Sequence, residues 1–198
     1  VANEYGTLAQ LKASLSIPAD DTTQDNLVQQ AHTAASRAID RTTGRRFYLD
    51  PAPVRREFRT LGRLVCEDDG DTLLLPDIGD AAGLIVESAD SRTGPWTAVA
   101  DYAVVPENAL LDNEPVTGLL RDSGEWGTRW VRITARWGWP AVPDEVVSAA
   151  LLQAARLFRR KDSPEGVMGS AEWGLIRLSR VDPDVQALIQ HLILIGIA

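Results

Sequence analysis

Trp130-Val131-Arg132-Ile133-Thr134-Ala135 alternates apolar and polar side chains, and Trp137-Gly138-Trp139-Pro140-Ala141-Val142-Pro143 then hands the chain over to helical spacing. A period of two lines one face of a half-buried strand, whereas apolar residues at three- and four-residue steps line a helix. Pro143 suits a first helical position, Asp144 and Glu145 suit the positive end, and Arg159, Arg160 and Lys161 suit the negative end. Between them Val146, Val147, Ala149, Ala150, Leu151, Leu152, Ala154, Ala155, Leu157 and Phe158 form an apolar arc wider than one neighbour requires, which predicts the central core helix. Asp182-Pro183 opens a last helix with Val185, Leu188, Ile189 and Leu192 on one stripe.

Upstream, from Pro51 to Pro140, short apolar runs are interrupted by turn residues every eight to twelve positions or so. Strands are predicted in 54–60, at Leu64-Val65-Cys66, Leu73-Leu74-Leu75 and Leu84-Ile85-Val86, from Tyr102 to Val105, from Val116 to Leu120, and at Trp130 to Ala135. Glu67-Asp68-Asp69-Gly70-Asp71 lacks the spaced ligand pattern of a calcium loop and reads as a solvated hairpin turn.

The first fifty residues are helical in pattern. Thr7 with Gln10 has capping-box spacing ahead of Leu8, Leu11 and Leu15, and Pro18 stops that turn. A longer helix is expected to start at Thr22 or Thr23, to bury Leu27, Val28, Ala31, Ala34, Ala35, Ala38 and Ile39, and to end at Gly44 as a left-handed C′ residue. The alanine stripe admits a close partner helix. Neither terminal helix pair buries its apolar face alone. The expected architecture is therefore α+β: a discontinuous helical domain, residues 1–50 and 141–198, carrying an inserted antiparallel β-sandwich or small barrel over 51–140.

Composition narrows the function. With 198 residues, 44% hydrophobic and 24% charged, the chain can hold a real core without staples. No apolar run approaches the roughly 20 residues of a membrane span, and no N-terminal signal peptide is visible. The single Cys66 allows no internal disulfide or zinc cluster, so a reducing place of manufacture is expected. A formal charge of −8 argues against wrapping of duplex DNA. His32 and His191 stand outside any metal-ligand spacing and read as helix surface or interface residues. No nucleophile elbow, phosphate loop or dinucleotide fingerprint is present, so no enzyme, cofactor or metal is expected.

Three features point to partners. The segment Ser163 to Arg180 joins two helices through some eighteen residues with three glycines, and Leu175-Ile176-Arg177-Leu178 within it can extend as a strand; it is expected to be ordered by a neighbouring subunit, by adding to its sheet edge. The terminus Leu192 to Ala198 is apolar where most termini are polar, so it either folds back on the core or docks on a partner. Four of the six tryptophans fall between Trp126 and Trp139; Trp137 and Trp139 are expected to fill core, and Arg129, Arg132 and Arg136 to line a subunit contact.

The stretches Tyr5-Gly6-Thr7-Leu8-Ala9-Gln10-Leu11-Lys12, Ala38-Ile39-Asp40-Arg41-Thr42-Thr43-Gly44-Arg45-Arg46-Phe47 and Gly138-Trp139-Pro140-Ala141-Val142-Pro143, with Ala154 to Pro164 and Asp182-Pro183-Asp184-Val185, resemble tailed-phage head-to-tail connector (adaptor) proteins, most closely those of phages infecting actinobacteria. The resemblance covers both ends of the chain and not the β insertion. It implies a non-enzymatic adaptor made in the host cytoplasm and residing in the virion neck. It would form a homo-oligomeric ring, a dodecamer, beneath the portal protein, with DNA passing through the lumen without sequence-specific binding and a stopper or tail-completion protein below. It further implies portal contacts at Leu192, Ile193, Leu194, Ile195 and Ile197. Intersubunit contacts are expected at Arg159, Arg160, Trp173, Leu175, Ile176 and Arg177. A stopper-like neck or tail-completion protein is the alternative, followed by a ligand-binding β module on a helical stalk.

Overall fold

The computed structural model describes residues 3–68, 70–121, 124–160, 167–168, 176–177 and 182–194. The chain divides into two compact units, Val1–Arg45 with Val142–Leu194, and Arg46–Ala141.

The first unit is helical. Helix α1 (Leu8–Ser14) opens with the capping box in place: Thr7 accepts from the Gln10 N–H, and the Gln10 side chain accepts from the Thr7 N–H. Helix α2 (Asp25–Thr43) has its N-cap at Gln24, one residue past Thr23, because Thr23 spends its hydroxyl and N–H on Asp21 instead of capping the helix. It ends at Gly44, whose φ of 69° is the left-handed C′ conformation that glycine adopts without strain. Helix α3 (Asp144–Arg159) packs against α1, α2 and α4 (Pro183–Ile189), as its wide apolar arc requires.

Small residues set the α2–α3 spacing. Val28 and Ala35 of α2 meet Ala154 of α3 and Leu11 of α1 in one buried cluster, ringed by Leu8, Leu15, Leu151 and Phe158. Leu27 and Ala34, predicted inside, lie exposed on the outer stripe of α2. His32, read from sequence as a surface or interface residue, is buried instead, 2.9 Å from the Tyr5 carbonyl. Tyr5 is itself fully buried, its N–H donating to Ser36 and its hydroxyl to Asp40, so the segment before α1 is strapped along α2. A buried tyrosine of this size contributes roughly 1.5–3 kcal/mol of hydrophobic stabilisation.

The second unit is an antiparallel sheet of seven strands, β1 (Val54–Arg59), β2 (Leu64–Glu67), β3 (Gly70–Ala89), β4 (Thr97–Ala98), β5 (Tyr102–Val105), β6 (Val116–Arg121) and β7 (Trp130–Trp137), in the order β1-β7-β3-β6-β5, with β2 and β4 also pairing β3. The sheet is not closed into a barrel. Leu73 pairs with both Leu64 and Leu119, and Glu87 with both Arg132 and Ala98, so β2 and β7 share one edge of β3 while β6 and β4 share the other. Sequence patterning separates Leu73-Leu74-Leu75 from Leu84-Ile85-Val86, yet both belong to β3. The strand continues through Pro76, Gly79 and Gly83 by way of register shifts, since Asp80 opposes Arg136 and Ile85 opposes Thr134.

The sheet core consists of Phe58, Leu73, Leu75, Ile78, Val86, Val116, Leu119, Trp126, Val131, Ile133, Ala135 and Trp137, with Val99. Each buried indole N–H has an acceptor: Trp126 donates to the Asp71 carbonyl, Trp137 to the Val54 carbonyl and Trp139 to the Asp77 carboxylate. Strands β2 and β3 pair antiparallel as far as Glu67 and Gly70, the hairpin pairing that the composition predicts. Strands β8 (Val167–Met168) and β9 (Ile176–Arg177) form a separate antiparallel pair.

Candidate assembly surfaces

The C-terminal segment is split between core and surface. Asp182 caps α4 by accepting from the Asp184 N–H and pairs with Arg156 at 3.0 Å, which ties the helix back to α3. The following 3₁₀ turn, Gln190–Leu192, turns Leu192 into the core at 8% exposure. In the single chain Leu192, expected from the sequence as a docking side chain, is thus packed into its own fold. Ile193 and Leu194 remain more than a third exposed. Ile195 and Ile197, also expected to dock, lie outside the described residues.

At the end of α3, Arg159 is exposed and Arg160 half-buried, and among the described residues neither has a carboxylate within ion-pair distance. Trp173 and Leu175 lie outside the described residues. Ile176 and Arg177 do extend as a strand, and among the described residues β9 pairs within its own chain, with β8.

The outer face of β1, β7 and β3 carries the densest chemistry. Its rows follow from register: Glu57 opposes Arg132, which opposes Glu87; Arg59 opposes Trp130; Arg55 opposes Thr134, which opposes Ile85. Arg132 grips Glu87 with two hydrogen bonds, of 2.8 Å from Nε and 2.6 Å from Nη2, and lies 4.4 Å from the Trp96 ring centroid. Those hydrogen bonds, with Arg132 and Arg55 charge behind them, outweigh desolvation and hold the Glu87 carboxyl below the ordinary glutamate range. Arg92 reaches back from the turn after β3 to pair with Glu57 at 3.0 Å. Trp130 has two guanidinium groups, those of Arg59 and Arg92, each 5.6 Å from its ring centroid. Arg55 and Arg59 have no carboxylate within ion-pair distance among the described residues. Of the three arginines flagged by sequence, Arg132 pairs with Glu87 and Arg136 with Asp80, while Arg129 is exposed.

A second surface escaped the sequence reading. The loop between β5 and β6 is bounded by Pro106 and Pro115 and turns on hydrogen bonds from Leu111 and Asp112 to the Asn108 carbonyl and from Glu114 to the Ala109 carbonyl. Ala109 is buried beneath it, while Leu111 stands 82% exposed among exposed Glu107, Asp112 and Glu114. The available signal was three acids around Leu110-Leu111 between two prolines; a loop composition drew no further attention to it.

Among the described residues no group of His, Cys, Asp and Glu is arranged to hold a metal, and no helix is long and apolar enough to cross a membrane.

The chain is similar to one in the neck of an empty GTA particle computed with C6 symmetry, at a TM-score of 0.57 and 19% identity, covering 97% of this chain and 91% of that one. The fold is shared. A chain of the virion of a native gene transfer agent (GTA) particle is also similar, at a TM-score of 0.54 and 19% identity over 100% of this chain and 96% of that one. At such identity the likeness is one of architecture. No protein-family model matches the sequence, and no curated protein matches it.

Proposed function

We propose that this chain is a head-to-tail adaptor of a tailed-phage-like particle, a structural subunit of a ring in the virion neck. The carrying observation is the structural likeness, across 97% of the chain, to a protein of a particle neck. The resemblance of both chain ends to connector proteins supports the same reading from sequence. The role is architectural and non-enzymatic.

In this reading copies form a ring, a dodecamer, under the portal protein, extend the DNA channel and receive the stopper or tail-completion protein. The C6 symmetry of the similar neck is compatible with twelve copies. The formal charge of −8 suits a conduit, because carboxylates facing a lumen repel a phosphate backbone and leave DNA free to slide without sequence-specific contacts. Portal contact is assigned to Ile193 and Leu194 together with Ile195 and Ile197, and intersubunit contact to Arg159, Arg160 and the Trp173 to Arg177 stretch. The chain would be made in the host cytoplasm and end in the virion.

The test is capture on purified portal followed by imaging of the complex. A ring of this chain coaxial with the portal supports the reading. Binding to stopper or tail components with none to portal overturns it in favour of a tail-completion role.

A further inference from the structure

We infer that the β5–β6 loop of one copy docks, Leu111 first, on the arginine–tryptophan face of β1 and β7 of the next copy. This deepens the adaptor reading by naming a contact between ring neighbours, and it rests on that reading only in setting copies side by side.

The loop has the features of a presented knob. Its backbone is tied by five internal hydrogen bonds and anchored by buried Ala109, so Leu111 is held out in water and does not flop back. What distinguishes this leucine is its setting, an apolar tip ringed by carboxylates on an ordered turn. Around it Glu107, Asp112 and Glu114 are exposed, and among the described residues none has a cation within ion-pair distance.

The β1 and β7 face is its chemical complement. Four arginines, Arg55, Arg59, Arg92 and Arg132, stand against two glutamates, Glu57 and Glu87, in a chain whose formal charge is −8. That sign is a local reversal. Arg55 and Arg59 have guanidinium donors to offer carboxylates, and half-buried Trp130 offers apolar surface for a leucine.

The loop does not engage the face of its own copy: Leu111 is 82% exposed, and among the described residues no arginine of that face lies within ion-pair distance of Glu107, Asp112 or Glu114. Knob and face belong to different strands of the sheet, β5–β6 and β1–β7, so a contact between identical copies is head-to-tail and can propagate and close.

A charge swap tests it with full-length protein. One variant carries Arg55→Glu with Arg59→Glu, the other Asp112→Arg with Glu114→Arg; each is first shown to keep the wild-type Tm and circular dichroism. Self-association is followed by sedimentation velocity at low salt, alone and on purified portal. Each variant by itself is expected to associate at least about tenfold more weakly than wild type, because like charges then face one another. Mixing the two restores opposite charges at every junction, so association should return to within about threefold of wild type, in alternating order. Wild-type association in either variant alone, no recovery on mixing, or a wild-type chain that stays monomeric alone and on portal overturns the inference. Portal binding is scored separately: a working swap without portal capture leaves the inference standing and removes the adaptor reading, and capture with an ineffective swap does the reverse.

Discussion

Leu194 donates its backbone N–H to the Thr43 carbonyl at 2.8 Å, so the C-terminal segment closes one of the open acceptors at the end of α2. Removal of 192–198 therefore takes away fold as well as surface. Leu192→Ala should lower stability by about 2–4 kcal/mol, read from urea unfolding, since it empties a buried site. Ile193→Asp should leave the unfolding free energy within about 0.5 kcal/mol of wild type and weaken capture on portal. An unchanged midpoint for Leu192→Ala would mean the terminus is not part of the core.

Gly138 marks where the sheet meets Tyr48. Its φ is 112°, and a Cβ there would fall on the Tyr48 carbonyl. Gly138→Ala should cost about 2–4 kcal/mol, combining backbone strain with overpacking. Gly83→Ala is the control: the φ is 73° but nothing lies within 4 Å of the new methyl, so about 1 kcal/mol is expected. Equal costs in thermal melts would show that strain alone decides.

The Glu87–Arg132 pair gives a pH dependence of known sign. The native carboxyl is held below its ordinary range, chiefly by the Arg132 hydrogen bonds, so its stabilisation is present above the ordinary glutamate value and fades as pH falls through the lowered one. Glu87→Gln should flatten the acid limb of Tm against pH and bring the two proteins together at the lowest pH. Parallel curves at all pH values would remove the pair from the acid response.

The α2–α3 contact tolerates no added bulk. Ala35→Leu should destabilise by about 1–3 kcal/mol, because Ala35 sits buried against α3 through Ala154. Ala34→Leu, on the exposed side of the same helix, should stay within about 0.5 kcal/mol. Chemical denaturation of the two variants side by side decides it.

Local chemistry was the legible part of the sequence. The Thr7–Gln10 box, the Gly44 stop and the alternation of β7 each depend on a few adjacent residues, and each is found where its pattern says, whereas Pro143, expected at the first helical position, stands one residue earlier as the extended N-cap of α3. Long-range competition was not legible. His32 reads as a surface residue until the Tyr5 strap is laid over it, and β3 reads as two strands because Pro76, Gly79 and Gly83 look like terminators in the absence of the partners that carry the strand through. The arginines of β7 suggested a contact by composition, and Arg132 and Arg136 prove to be paired with Glu87 and Asp80, while on the same face Arg55 and Arg59 of β1 have no carboxylate within ion-pair distance among the described residues. The Leu111 knob left no periodic trace, since a single exposed side chain has no period.

The discontinuity of the helical unit also sets a schedule for its manufacture. Residues up to Arg45 pack with residues from Val142 onward, so a ribosome releases the whole sheet before the first helices meet the long helix they wait for. Nascent chains arrested when residue 141 has just cleared the ribosomal exit tunnel should already protect the sheet amides while α2 still exchanges freely, and the greasy side of α2 would need shelter during that interval.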